Sequence, residues 1–284
     1  MLSYIKIIFE DIKFSHTIFA LPFAIMSAFM AAEGPPSANK ITWILIAMIG
    51  ARSAAMACNR IVDSKFDSLN PRTQNRALPK GQISKNNYLI FLFFSAIIFV
   101  FAASQLNSLS FLLSPVALAI IFFYSWTKRF TAYSHLFLGL ALSIAPVGAW
   151  IAIREEIGII PLLLGAAVIF WLAGFDIIYA CQDISFDKEV GLFSFPKKFG
   201  IAKALKLSSF FHFIMIIFLI LLFLAAQLGW IYLAGVIIVA FLLLYEHSII
   251  KDDDLSKINV AFFKVNGQIS VVLMVLTIID CALV

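Results

Sequence analysis

Charge is the scarcest property of this chain. Only 13% of its 284 residues are Asp, Glu, Lys or Arg, where a soluble domain carries about 25%. Hydrophobic residues make up 62% and the mean hydropathy is +1.00. This balance excludes an ordinary soluble enzyme and leaves a polytopic membrane protein. Cysteine is nearly absent. Cys58, Cys181 and Cys281 lie in or beside apolar stretches, at spacings that suit neither zinc nor a disulfide framework, and read as small buried hydrophobes. Of the four histidines, His135, His212 and His247 show no ligand spacing. His16, near the start of the first apolar stretch, is read as either cavity-facing or structural. The Walker loop, the dinucleotide glycine fingerprint and the Ser-His-Asp order are all missing. The opening "MLSYIKIIFEDIKFSH" alternates charges and has no small-residue cleavage site, so no cleavable signal peptide is expected.

What is abundant is apolar runs of spanning length. About nine occur, near 14–32, 41–62, 88–106, 109–127, 133–153, 158–181, 204–226, 229–247 and 266–284. Stretches of roughly 17–25 apolar residues span a bilayer as helices, because hydrocarbon cannot satisfy irregular backbone. The expectation is an all-α polytopic membrane protein forming one integral-membrane domain over 1–284. Lys and Arg collect in alternate loops, from Lys65 to Lys85, at Lys128 and Arg129, from Lys188 to Lys206 and from Lys251 to Lys264. Lys6 and Lys13 belong with them, while the opposite loops hold little beyond Lys40 and Arg154. The positive-inside rule then puts the N-terminus and the long loops, about 66–87 and 184–203, in the cytosol. The net charge of +5 follows from this asymmetry and suggests no nucleic-acid partner.

Against this background two polar strings stand out. "ACNRIVDSKFD" (57–67) and "ACQDISFD" (180–187) share Ala-Cys, an amide and Asp-x-x-Phe-Asp, each at the end of a long apolar helix. They hold four of the ten aspartates. Residues four apart share a helix face, so Asn59, Asp63 and Asp67 project one way, as do Asp183 and Asp187. If the faces meet, four carboxylates and an amide converge and need a cation. Hard oxygen donors select Mg²⁺ or Ca²⁺, and Mg²⁺ commonly binds through carboxylates plus substrate phosphates.

Cations flank the strings. "NPRTQNRALPKG" supplies Arg72 and Arg76, and "YSWTKRF" supplies Tyr124, Lys128 and Arg129. Arginine forks match phosphate oxygens, so these residues are read as diphosphate-binding, while Lys80, Lys85, Lys197 and Lys198 are read as setting topology. Arg52 lies seven residues before Asn59, and Asp176 seven before Asp183. Each then falls on its string's face roughly 10 Å deeper. Two readings stay open: a structural Arg52–Asp176 ion pair, or a layer, joined by Tyr179, that positions a polar aromatic co-substrate. "DDD" at 252–254 splays round a helix or turn and reads as solvated.

The strings "NRIVDSKFDSLNPRTQNRALPKG", "YSWTKRFT" and "DIIYACQDISFDKEVGLFSFPKKFG" resemble those of the UbiA-type membrane prenyltransferases, nearest to the bacterial 4-hydroxybenzoate polyprenyltransferase-like branch. The family pattern at the first string is often Asn-Asp-x-x-Asp-x-x-x-Asp; Arg60 stands at its second position here. The resemblance implies a helical bundle with a lipid-accessible central cavity in a bacterial inner membrane. It implies that Asn59, Asp63, Asp67, Asp183 and Asp187 hold Mg²⁺ and that the four aspartates are catalytic. Arg52, Arg60, Arg72, Arg76, Tyr124, Lys128, Arg129, Asp176 and Tyr179 would bind substrate. The substrates would be a polyprenyl diphosphate and an aromatic acid, either 4-hydroxybenzoate-like or, in menaquinone synthesis, a dihydroxynaphthoate. No obligate protein partner is implied. A cation-coupled transporter is the rival of another class, but its site would sit at midplane on broken helices. A CDP-alcohol phosphotransferase would need Asp-Gly and Ala-Arg elements that these strings lack.

Overall fold

The computed structural model describes residues 7, 8, 10–12 and 19–283, and no strand occurs among them. Its helices are α1 (Leu21–Ala32), α2 (Ala38–Leu69), α3 (Lys85–Leu106), α4 (Ser108–Thr127), α5 (Ser134–Arg154) and α6 (Ile159–Ala180). A 3-10 turn, Cys181–Asp183, leads to α7 (Ile184–Val190) and α8 (Phe195–Phe199). Then come α9 (Ile201–Ala225), α10 (Trp230–Ile249), a π-turn (Val260–Val265) and α11 (Asn266–Leu283). Eight segments are long and apolar enough to cross a bilayer, and the protein is an integral membrane protein. The ninth expected span, 14–32, is represented by the 12 residues of α1; its first part, with His16, lies outside the described residues, as do Lys6 and Lys13.

The helices close into a ring. Each of α2 to α5 packs on the next, α6 packs on α9, and α9, α10 and α11 follow in order. Helix α1 sits against α5, α11 and α2 and completes the circuit. Lipid is as apolar as the side chains, so helix pairs are held by close packing rather than by exclusion of water. Gly139 lets α5 reach the α6 backbone: a Cβ there would lie 2.5 Å from the Ile169 carbonyl oxygen. Gly50 does the same for α2 on α3, with Phe99 N 2.8 Å from such a Cβ. The core of Phe23, Trp171, Met215 and Leu219 lies inside the ring, while Phe93, Leu112, Phe213 and Phe241 are exposed on its outer surface, as lipid contact requires.

At the end opposite the long loops, two isolated cations cap helices. Lys40 donates to the carbonyls of Leu106 (2.5 Å) and Ala152 (2.8 Å), in the last turns of α3 and α5. Arg154 donates to Ala31 O in the last turn of α1 and pairs with Glu33. Orphan carbonyls and the helix dipole both favour a cation there. At the other end α2 runs on to Leu69, and the stretch read as a loop at 184–203 is mostly helix. The 70–84 segment is pinned by Asp11. Its carboxylate accepts from Ala77 N (3.0 Å), Tyr88 Oη (2.6 Å) and Arg60 Nε (3.0 Å).

Candidate active site

Helix α2 carries the first acidic string without a break, so the four-residue spacing holds. Asn59 Nδ2 donates to Asp63 Oδ2 at 2.8 Å. Arg129, just past the end of α4, reaches Asp63 Oδ1 at 3.1 Å and also donates to Val62 O and Ser125 O. Arg76 donates to both oxygens of Asp67, at 2.7 and 2.6 Å.

The second string departs from its expected geometry. The 3-10 turn at Cys181–Asp183 interrupts the α-helical run, so Asp183 and Asp187 do not ride one continuous face. Asp183 is held by a two-pronged Arg72 contact, Nε–Oδ1 3.1 Å and Nη2–Oδ2 2.7 Å. Asp187 is buried and accepts from Ser194 Oγ at 2.6 Å. The Arg72–Asp183 bridge joins the segment after α2 to the end of α6, and so brings the two strings together at one end of the bundle. Arg72 Nη1 also donates to Tyr179 Oη (3.2 Å), and its guanidinium lies 5.3 Å from the Tyr179 ring centre.

Lys128, just past the end of α4, is exposed and lies within electrostatic reach of this group. Desolvation alone would lower its pKa, yet Asp176, Asp187, Asp183 and Asp63 together hold it above its ordinary value. Carboxylates from both strings therefore act on one ammonium. The same balance holds Arg72 above its usual value: burial works against the charge, and Asp183 outweighs it. Arg76 goes the other way, lowered by burial and by Arg60 despite Asp67.

Arg60, expected to bind substrate, is 3% exposed and turned to Asp11, donating to its Oδ2 (3.0 Å) and its main-chain oxygen (2.8 Å). One residue on from Asn59 is about 100° round the helix, which carries Arg60 off the acidic face; it touches Asn59 Oδ1 at 3.4 Å. Asp176 is paired with His135, Nδ1–Oδ2 2.7 Å, rather than with Arg52. Arg52 is half-buried on α2 and within electrostatic reach of Tyr124, which in turn lies within reach of Asp63.

Sequence reasoning missed Asp11 and His135, because neither shares a spacing with the strings, and could not choose among thirty phenylalanines. Phe262 and Phe263 lie on the π-turn, in ring contact with Tyr179. Phe262 stacks on Tyr179 with ring centres 4.1 Å apart, and both join Phe19 and Phe175 in one aromatic cluster. Single π-turns inside helices are frequent at functional sites.

The donor set suits a hard divalent cation: carboxylates and an amide oxygen, with no soft ligand among them. Among the described residues, however, no three Asp, Glu, His or Cys side chains converge closely enough to hold a metal. The reason is visible in the pairings, since three of the four string carboxylates are matched to an arginine and the fourth to a serine. The chemistry of the donors fits the group; their release from these partners is what its binding requires.

The sequence profile of the UbiA prenyltransferase family matches residues 20–267. A 4-hydroxybenzoate octaprenyltransferase of Francisella tularensis subsp. novicida (strain U112) is 28% identical over 251 residues, 88% of each chain. Another from Vibrio atlanticus (strain LGP32) is 30% identical over 174 residues, 61% of each. The apo structure of a UbiA homolog from Aeropyrum pernix K1 is similar with a TM-score of 0.85 and 32% identity, over 94% of this chain and 98% of that one. A UbiA homolog from Archaeoglobus fulgidus bound to DMAPP and Mg²⁺ shares the fold, with a TM-score of 0.74 and 22% identity over 95% and 98%. The chain belongs to the UbiA prenyltransferase family.

Proposed function

We propose that this prenyltransferase moves a polyprenyl group from a polyprenyl diphosphate to an aromatic acid resembling 4-hydroxybenzoate, with Mg²⁺, forming a carbon–carbon bond and releasing diphosphate. The observation that carries the reading is the two-pronged Arg72–Asp183 bridge between the two strings, with carboxylates of both strings within electrostatic reach of Lys128. The names of the Francisella and Vibrio relatives point to the acceptor. The Archaeoglobus homolog's DMAPP and Mg²⁺ point to the donor and the metal.

Asn59, Asp63, Asp67, Asp183 and Asp187 would hold the metal, which when bound supplies Lewis-acid stabilisation of the departing diphosphate. The arginines do a matching job. Arg72 and Arg76 now sit on carboxylates, and phosphate oxygens offer their forks an equivalent partner. An arriving diphosphate thus takes the guanidinium groups and frees Asp183 and Asp67 in one exchange. Lys128 and Arg129 add positive charge where the leaving group develops negative charge. The aromatic ring of Tyr179 lies beside Arg72, with Phe262 packed against it, and such faces can stabilise an allylic cation. The prenyl tail is insoluble in water, so a cavity open to lipid suits its entry. On the positive-inside argument this end of the bundle faces the cytosol of a bacterial inner membrane.

The test is an assay in membranes with a radiolabelled allylic diphosphate and Mg²⁺, offering 4-hydroxybenzoate and a dihydroxynaphthoate in separate reactions. The expected result is a lipid-soluble product with 4-hydroxybenzoate that is lost with EDTA. Product with dihydroxynaphthoate alone, or with neither acceptor, would reject the assignment.

A further inference from the structure

Two lysines of α8, Lys197 and Lys198, stand outside the mechanism above. Aromatic rings place both of them. Lys197 Nζ lies 5.5 Å from the Phe193 ring centre, and Lys198 Nζ lies 5.1 Å from that of Phe199. Lys197 also donates to Leu192 O at 2.5 Å, which leaves two of its three donors for another partner. The two lysines line a cleft of about 310 Å³ together with Phe130, Tyr133 and Phe193. The cleft is braced from behind. Phe193 N donates to Lys128 O at 2.7 Å and so ties the segment before α8 to the end of α4. Ser194, which also lines the cleft, is fully buried and donates to Asp187 at 2.6 Å. None of the lining residues is acidic. The cleft therefore favours an anion and offers no carboxylate to a divalent cation, unlike the two acidic strings.

Its position selects the kind of anion. Helix α4 ends at Thr127 and α5 begins at Ser134, so two membrane spans meet the bilayer edge beside the cleft. Phe130, Tyr133 and Phe193 are exposed, and Phe123 and Trp126 continue the exposed aromatic surface along α4. Phe123 and Phe130 are in ring contact, with centres 6.0 Å apart. Exposed rings at the end of a span, with lysines just beyond them, are the pattern of a membrane–water interface. A free phosphate would engage the lysines and leave the rings in water. A phospholipid engages both, with its phosphate on the ammonium groups and its glycerol and upper acyl chain on the rings. Basic pockets beside membrane helices on the cytosolic side bind anionic headgroups in this way. We propose that this cleft is a binding site for an anionic phospholipid of the cytosolic leaflet, with Lys197 and Lys198 on the phosphate and Phe130, Tyr133 and Phe193 against the apolar part.

The test is native mass spectrometry of the full-length protein, released from detergent after equilibration with phosphatidylglycerol or phosphatidylcholine. The expected result is saturable retention of phosphatidylglycerol in preference to phosphatidylcholine. A lysine near a membrane surface strengthens such binding about fivefold, so K197Q/K198Q should weaken it by roughly 30-fold. K80Q/K85Q removes the same charge from two exposed lysines elsewhere at this end and should leave retention unchanged. K197R/K198R should keep it. Equal retention of the two lipids overturns the proposal, as do equal losses in the two glutamine pairs. Displacement of the lipid by glycerol 3-phosphate at matched concentration would assign the cleft to a soluble phosphate and overturns it too. Lys197 also holds Leu192, so should K197Q/K198Q fail to fold, K198Q decides: retention about fivefold weaker supports the site, and unchanged retention rejects it. The measurement needs no turnover, so it stands apart from the prenyl-transfer assay and its outcome.

Discussion

Arg60 shows how one substitution in a motif is absorbed by its surroundings. The family pattern often has an acid at this position. Here a buried arginine finds Asp11, which also holds Tyr88 and the Ala77 amide. Both side chains of the pair are almost fully enclosed, at 4% and 8% exposure. Removing one partner strands a buried charge, so D11A should destabilise the protein by about 3–5 kcal/mol. The paired replacement D11L/R60M should return part of that, since it removes the stranded charge but still leaves the Tyr88 hydroxyl and the Ala77 amide without their acceptor. Thermal unfolding of both proteins in detergent checks this, and equal melting temperatures would refute it. The residues of the site were legible in the sequence where spacing alone sufficed: Asn59, Asp63 and Asp67 ride a single helix. Asp11 and His135 were not, because their partners are 49 and 41 residues away and no local pattern announces them.

At the scale of elements, hydropathy identified the spans and left their interruptions hidden. The 3-10 turn at Cys181–Asp183 and the π-turn at Val260–Val265 occur in apolar surroundings that read as ordinary helix. Both change which side chains face the site. The first turns Asp183 to Arg72 and Asp187 to Ser194; the second stacks Phe262 on Tyr179. The stretch after Asp187 looked like loop because it is charged and contains proline, yet Pro196 is tolerated in the first turn of α8, where its missing amide is no loss. Helix spacing depends on a few small residues. G139A places a Cβ against the Ile169 backbone, which cannot move as a side-chain tip can. We expect it to cost about 1–3 kcal/mol, as overpacking does. A melting temperature equal to wild type would show that α5 and α6 can separate freely.

The whole molecule is a ring whose two ends do different work. Lys40, Arg154 and Asp280 close one end by capping helix termini; Asp280 accepts from Gly229 N (2.6 Å) and Tyr232 N (3.1 Å) at the start of α10. The other end brings the two acidic strings and their arginine partners together, from α2, α6 and the segments that follow α2 and α4. The Arg72–Asp183 bridge links halves of the chain 111 residues apart. The central claim is that the two acidic strings form one site and not two. It is tested most directly by titrating an unreactive thio-analogue of the allylic diphosphate with Mg²⁺ into purified protein, comparing D63N, D183N and the double variant. One shared site predicts that each single change weakens binding strongly, that the double is little worse than either, and that EDTA abolishes the wild-type signal. Losses that simply add, as distant independent sites do, or binding indifferent to Mg²⁺, would contradict the account.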